Sequence, residues 1–151
     1  MGGGTVRKAI YDAFMRGPAH AVGLFHGYTY SAHPLASAAG LATLDLYRDE
    51  GLFARAQTLE PIWADAAMTL KGLPNVLDIR CVGLTAGIDL ASRPGDAGKR
   101  AYDAMEQAFN VENLVIRVTG ETIALTPPLI VSEREIEEIF AKVARVIRAV
   151  A

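Results

Sequence analysis

Only one cysteine, Cys81, occurs among the 151 residues. An internal disulfide or a multi-thiolate metal cluster is therefore excluded, and a reducing compartment is expected. Lysine is scarce too. Lys8, Lys71, Lys99 and Lys142 are the only ones, and each reads as a solvated helix or helix-end position with no apolar pocket to depress its pKa. Charge of one sign is missing: 15 Lys and Arg face 17 Asp and Glu, a formal net charge of -2. No basic field exists to hold a phosphate backbone, so nucleic acid is not an expected partner. No apolar run reaches the roughly 18 residues of a membrane span, so no membrane association is expected. Met1-Gly2-Gly3-Gly4-Thr5 lacks the apolar h-region of a signal peptide, and a cytoplasmic location is the expectation. Seven prolines and 14 glycines are too few for a collagen-like or Pro-rich disordered chain. Neither a Gly-x-Ser-x-Gly elbow nor a Gly-x-x-x-x-Gly-Lys-Ser/Thr phosphate loop is present.

What remains is an ordinary globular composition, 51% hydrophobic and 21% charged. Val6, Ile10 and Phe14 mark a short helix over 5–16, ended by Gly17-Pro18. A glycine-punctuated aromatic loop follows. A helix runs from Pro34, suited to a first turn, to Glu50, with Gly51 at its end, and carries the small residues Ala36, Ala39 and Gly40. A second helix covers 52–71, with Leu59, Ile62, Trp63, Ala66 and Leu70 at helical spacing. The period then changes to that of strands, over 76–81 and 84–90. Their alternation is imperfect, which predicts a sheet covered on one face and partly on the other. Ala101, Tyr102, Met105, Ala108 and Phe109 mark another helix face. Strands are predicted over 114–118 and 122–125, the latter closed by Pro127-Pro128. Ser132 with Glu135 three residues on is the signature of a capping box opening the last helix. The fold class is α+β: a small mixed or antiparallel sheet of about four strands covered by helices. A boundary falls near His33, separating a loop-rich segment, 1–32, from 33–151.

His20, His26 and His33 lack the spacing of a zinc helix and no carboxylate cluster accompanies them, so no metal is expected. Capping or hydrogen bonding is the better role for His26 and His33. Cys81 reads as an inert small hydrophobe. Two places could bind an anion. In the loop from Phe25 to Pro34, Gly27 permits a turn, Thr29 offers a hydroxyl and successive N–H groups could converge; a structural loop capping the helix at Pro34 is the favoured alternative. Arg117, inside an apolar strand, either presents a planar guanidinium to a carboxylate or faces water on the open side of the sheet. The residues alone leave both open.

The stretch Phe25-His26-Gly27-Tyr28-Thr29-Tyr30-Ser31-Ala32-His33-Pro34, followed by its Ala/Gly-rich helix, resembles the signature of class III, fold-type I aminotransferases. These use pyridoxal phosphate (PLP), and the ω-amino acid–pyruvate branch is the most similar. Ile79-Arg80-Cys81-Val82-Gly83-Leu84 and Val115-Ile116-Arg117-Val118-Thr119-Gly120-Glu121-Thr122 before Pro127-Pro128 match further family segments in collinear order. The resemblance implies that Thr29 gives its hydroxyl, and Tyr28 its backbone N–H, to the cofactor phosphate of a neighbouring subunit. It implies that Arg117 holds the substrate carboxylate and swings aside for an amine, with pyruvate as amino acceptor. The Schiff-base lysine lies upstream of the loop in this family, so no catalytic residue is expected in this chain. Residues 1–32 would be a remnant of the large PLP-binding domain and 33–151 the C-terminal small domain of a homo-oligomer. Asn110-Val111-Glu112-Asn113 replaces the family's usual glycine turn, and asparagine tolerates the left-handed region this requires. The alternative is a stand-alone, non-catalytic α+β binding module.

Overall fold

A computed structural model of the chain describes residues 5–18, 20 and 29–151. Its elements are α1 (Lys8–Phe14), α2 (Pro34–Asp49), α3 (Leu52–Met68), β1 (Val76–Val82), β2 (Thr85–Leu90), α4 (Lys99–Asn110), β3 (Arg117–Thr119), β4 (Thr122–Leu125) and α5 (Glu133–Ala149). They fall into two compact units, 1–49 and 50–151. The helices differ in burial accordingly: α2 buries no residue, whereas α3 opens on the buried Leu52. No helix among the described residues is long and apolar enough to cross a membrane.

In the first unit, neither α1 nor α2 buries a residue. Lys8 pairs with Asp12 one turn on, at 2.7 Å. His33 enters α2 as a capping residue: its Nδ1 accepts the Ala36 N–H at 3.4 Å, and its ring meets that of Tyr30 edge-on, 6.1 Å between centroids. That is the capping role expected of it. His26 lies outside the described residues.

The second unit is a four-stranded antiparallel sheet in the order β1-β2-β4-β3. Period two sends Ala86, Ile88, Leu90, Ile123 and Leu125 into the core. There they meet Leu59 and Trp63 of α3, Ala104 and Ala108 of α4, and Ile136, Phe140 and Ile147 of α5. Trp63 and Phe140 pack edge to face, 4.7 Å between centroids, an arrangement that adds to the burial of two large rings. A register shift between Val76 and Asp78 leaves Leu77 out of the ladder and exposed. This bulge explains why β1 alternates imperfectly. The Ser132–Glu135 capping box is formed reciprocally, as its spacing predicts.

Three expectations need correction. The strand predicted over 114–118 begins only at Arg117, because the Leu114 N–H is already bonded to the Ala108 carbonyl, 2.9 Å away at the end of α4. Asn113, left-handed at φ +51°, turns the chain there. On α4 the buried face is Ala101, Ala104 and Ala108, with Arg100 beside it, while Tyr102 and Phe109 are exposed; a turn of 100° per residue carries those two onto the flank. Lys142, read as solvated, is mostly covered: its side chain is 20% exposed and pairs with Glu138 at 2.8 Å.

Candidate functional site

The helices cover one face of the sheet. The other carries the alternate residues, and ladder register places Arg80, Gly87, Ala124 and Arg117 in one row across all four strands. Arg117, at one end of that row, opens the edge strand β3 and is exposed. Arg80, at the other end, is fully engaged. It holds Asp89 through two bonds of 2.6 and 3.0 Å and reaches Asp78 at 3.1 Å. Thr122 Oγ1 donates to the same Asp89 carboxylate at 2.6 Å. These donors, Arg80 first and Thr122 next, hold the Asp89 carboxyl below the usual carboxylate range, and the guanidinium of Arg80 is held correspondingly more firmly charged. The Arg80 side chain lies over Gly87, where an added Cβ would meet it at 3.4–3.5 Å. The ion pair thus lies flat on the sheet, within ordinary van der Waals reach of the Gly87 backbone.

Arg117 differs from its neighbours. Arg93 pairs with Asp103, Arg145 with Glu112, and Arg100 with backbone carbonyls, but Arg117 has no hydrogen-bond or ion-pair partner among the described residues. It lines a cavity of about 380 Å³ with Leu114, Ile116, Thr126, Pro127 and Ile139. A second hollow, about 370 Å³, shares Leu114, Pro127 and Pro128 and includes Lys142 and Glu138. A delocalised cation without an internal partner, beside walls that are mostly apolar, suits bidentate capture of a carboxylate.

Thr29 lies in the first unit, exposed in a turn that closes with the His33 N–H bonded to the Tyr30 carbonyl at 3.2 Å. Its hydroxyl has no partner among the described residues, so it is free to donate. Tyr28 lies outside the described residues. The lysines are otherwise engaged or exposed: Lys8, Lys99 and Lys142 form ion pairs, and Lys71 is exposed. Burial pushes the Cys81 thiol up, which favours its uncharged form. Among the described residues no three His, Cys, Asp or Glu side chains gather as a metal site requires.

Sequence reasoning missed the role of Glu121, whose side chain is bonded to the start of α4, and the Arg80–Asp89–Thr122 network. The signal for the latter was legible: Asp78 and Arg80 on one strand, and Gly87 and Asp89 on the next, stand two apart and so share a face.

Residues 1–147 match the family described as aminotransferase class-III. An omega-aminotransferase of Caulobacter vibrioides is 52% identical over 91% of this chain and 31% of its own length. A beta-alanine–pyruvate aminotransferase of Pseudomonas aeruginosa is 36% identical over the full chain and 34% of its own length. Among solved structures, an adenosylmethionine-8-amino-7-oxononanoate aminotransferase from Methanocaldococcus jannaschii superposes with a TM-score of 0.77 at 28% identity, covering 94% of this chain and 34% of that one. The chain thus spans about a third of the length of the curated relatives it matches. With the family segment spanning nearly every residue and the fold shared with solved members, the chain belongs to the class III aminotransferases.

Proposed function

We propose that this chain is the C-terminal part of a PLP-dependent transaminase that moves an amino group from an ω-amino acid or amine to pyruvate. The observation that carries this reading is the unpartnered guanidinium of Arg117 beside an apolar cavity, in a chain of this family. Arg117 binds the carboxylate of the amino acid or oxo acid through two parallel N–H donors. Because no internal carboxylate holds it, it can also turn aside when an amine without a carboxylate enters. The Thr29 hydroxyl, and the backbone N–H of Tyr28, donate to the cofactor phosphate of a neighbouring subunit, which makes the intact enzyme a homo-oligomer. Residues 1–32 belong to the large domain in this reading and 33–151 to the small one.

The described residues fit the anionic ends of such a site and not its covalent one. Thr29 and Arg117 offer free donors, whereas three of the four lysines are ion-paired and the fourth is exposed. PLP, where bound, supplies the electron sink for amino transfer. The reactive lysine is therefore assigned to the part of the parent protein upstream of this chain, and the 151-residue chain alone is inactive. Incubation with PLP, borohydride reduction and peptide mapping tests this: we expect only diffuse, substoichiometric labelling. A one-to-one adduct on Lys8, Lys71, Lys99 or Lys142 would falsify the reading.

A further inference from the structure

We propose that Glu121 is a positioning residue for the Arg117 carboxylate site, an inference that rests on the reading of Arg117 given above. Arg117 stands on an edge strand of three residues, paired with β4 alone through Arg117–Ala124, Val118–Ile123 and Thr119–Thr122. The two-residue turn sets the register, but so short a ladder leaves the angle of the hairpin to the rest of the sheet weakly determined. The turn that follows supplies the missing constraint. Glu121 Oε1 accepts the Gly98 N–H at 2.7 Å, and Oε2 accepts the Ala101 N–H at 3.1 Å. Its backbone carbonyl accepts the Leu90 N–H of β2 at 3.0 Å.

The first two donors are those a helix start leaves without partners. The N-cap of α4 is Gly98, left-handed at φ +84°, with no side chain to cap them. The carboxylate of Glu121 takes that place from another element, at the pole of the helix that favours negative charge. Turn and helix are neighbours in space as well: a Cβ at Gly98 would stand in ordinary van der Waals contact, 3.9 Å, with the Gly120 carbonyl oxygen. The hairpin bearing Arg117 is thereby fastened to α4 and β2 four residues from the guanidinium. The backbone of Arg117 is fixed while its side chain stays free to turn. Two oxygens meeting two N–H groups make the carboxylate specific: glutamine supplies a single acceptor oxygen.

The test compares KM for β-alanine with KM for 1-phenylethylamine, which has no carboxylate, in the transaminase that carries this chain. Wild type, Arg117→Ala, Glu121→Ala and Glu121→Gln are measured. Misplacing a binding group by a fraction of an ångström costs about 5- to 10-fold here, so Glu121→Ala should raise the KM ratio by that factor. Its kcat for the amine should be unchanged, and Glu121→Gln should fall between; if Glu121→Ala does not fold, Glu121→Gln decides. General loosening of the fold instead moves both KM values together, and that result overturns the proposal. A ratio raised by Arg117→Ala but not by either Glu121 variant also overturns it, leaving Arg117 as read. A ratio unmoved by any variant removes the reading of Arg117 and this inference with it. In the 151-residue chain, Glu121→Ala should speed amide exchange over 117–125 and leave α5 protected; unchanged protection of 117–125 counts against positioning.

Discussion

Arg100 is the one charged side chain buried among the described residues, at 8% exposure. Its guanidinium meets no carboxylate among the described residues. Nε donates to the Ala91 carbonyl at 2.8 Å and Nη1 to the Val150 carbonyl at the end of α5, where Arg93 also donates at 3.4 Å. The negative pole of α5 thus stands in for a counter-ion. Arg100→Leu should fill the space, leave the Ala91 carbonyl without its donor and the Val150 carbonyl with only the long bond from Arg93, destabilising the second unit by about 1–3 kcal/mol. Arg100→Lys keeps the charge but not the planar fork, and should restore only part of it. Urea unfolding followed through Trp63, the single tryptophan, reads both; a leucine variant within about 0.5 kcal/mol of wild type would refute the account. Nothing near Arg100 in the sequence marks it as buried, because its partners lie 9 and 50 positions away. Arg117 was visible as a candidate for the opposite reason: a cation among apolar neighbours is conspicuous locally. Its lack of a partner was not visible, since that depends on residues brought together from other strands.

Elements were legible where their signals are local. The capping box of α5 was named to the residue, since both of its halves lie within one turn. The start of β3 was not, because the bond that removes Leu114 from the ladder comes from a helix end six residues back. Helix α3 holds a further tension. Pro61 sits inside it and is exposed. A proline there lacks the N–H that would bond the carbonyl of Gln57 and crowds that turn, a cost of about 3 kcal/mol in an isolated helix. Leu59, Trp63 and Ala67 are buried on either side of it, so core packing carries the helix through. Pro61→Ala should therefore stabilise the second unit by roughly 1–2 kcal/mol, less than the isolated-helix figure because proline also stiffens the unfolded chain. Chemical denaturation checks this, and a variant less stable than wild type would show that the proline shapes α3 in a way the packing requires.

At the scale of the whole molecule, the two units differ in how their helices are supported. In 50–151 every helix has a buried face, whereas α1 and α2 have none. Helices of 7 and 16 residues draw little stability from propensity alone, and in proteins most of it comes from an apolar face packed on something. Leu41 and Leu44, one turn apart on α2, and Ile10 and Phe14, one turn apart on α1, are all exposed. Apolar groups so placed favour association over solvation when their normal cover is missing. In the reading proposed above, that cover is the rest of the parent enzyme, about two thirds of the relatives' length. The isolated chain should therefore self-associate through residues 1–49, with a sedimentation coefficient that rises with concentration. Leu41→Glu with Leu44→Glu should return it to a monomer and leave the unfolding transition of the second unit in place, because neither side chain belongs to that core. A wild-type chain that sediments as a concentration-independent monomer would mean that α1 and α2 need no cover, and the argument for a missing partner surface would lose its physical basis.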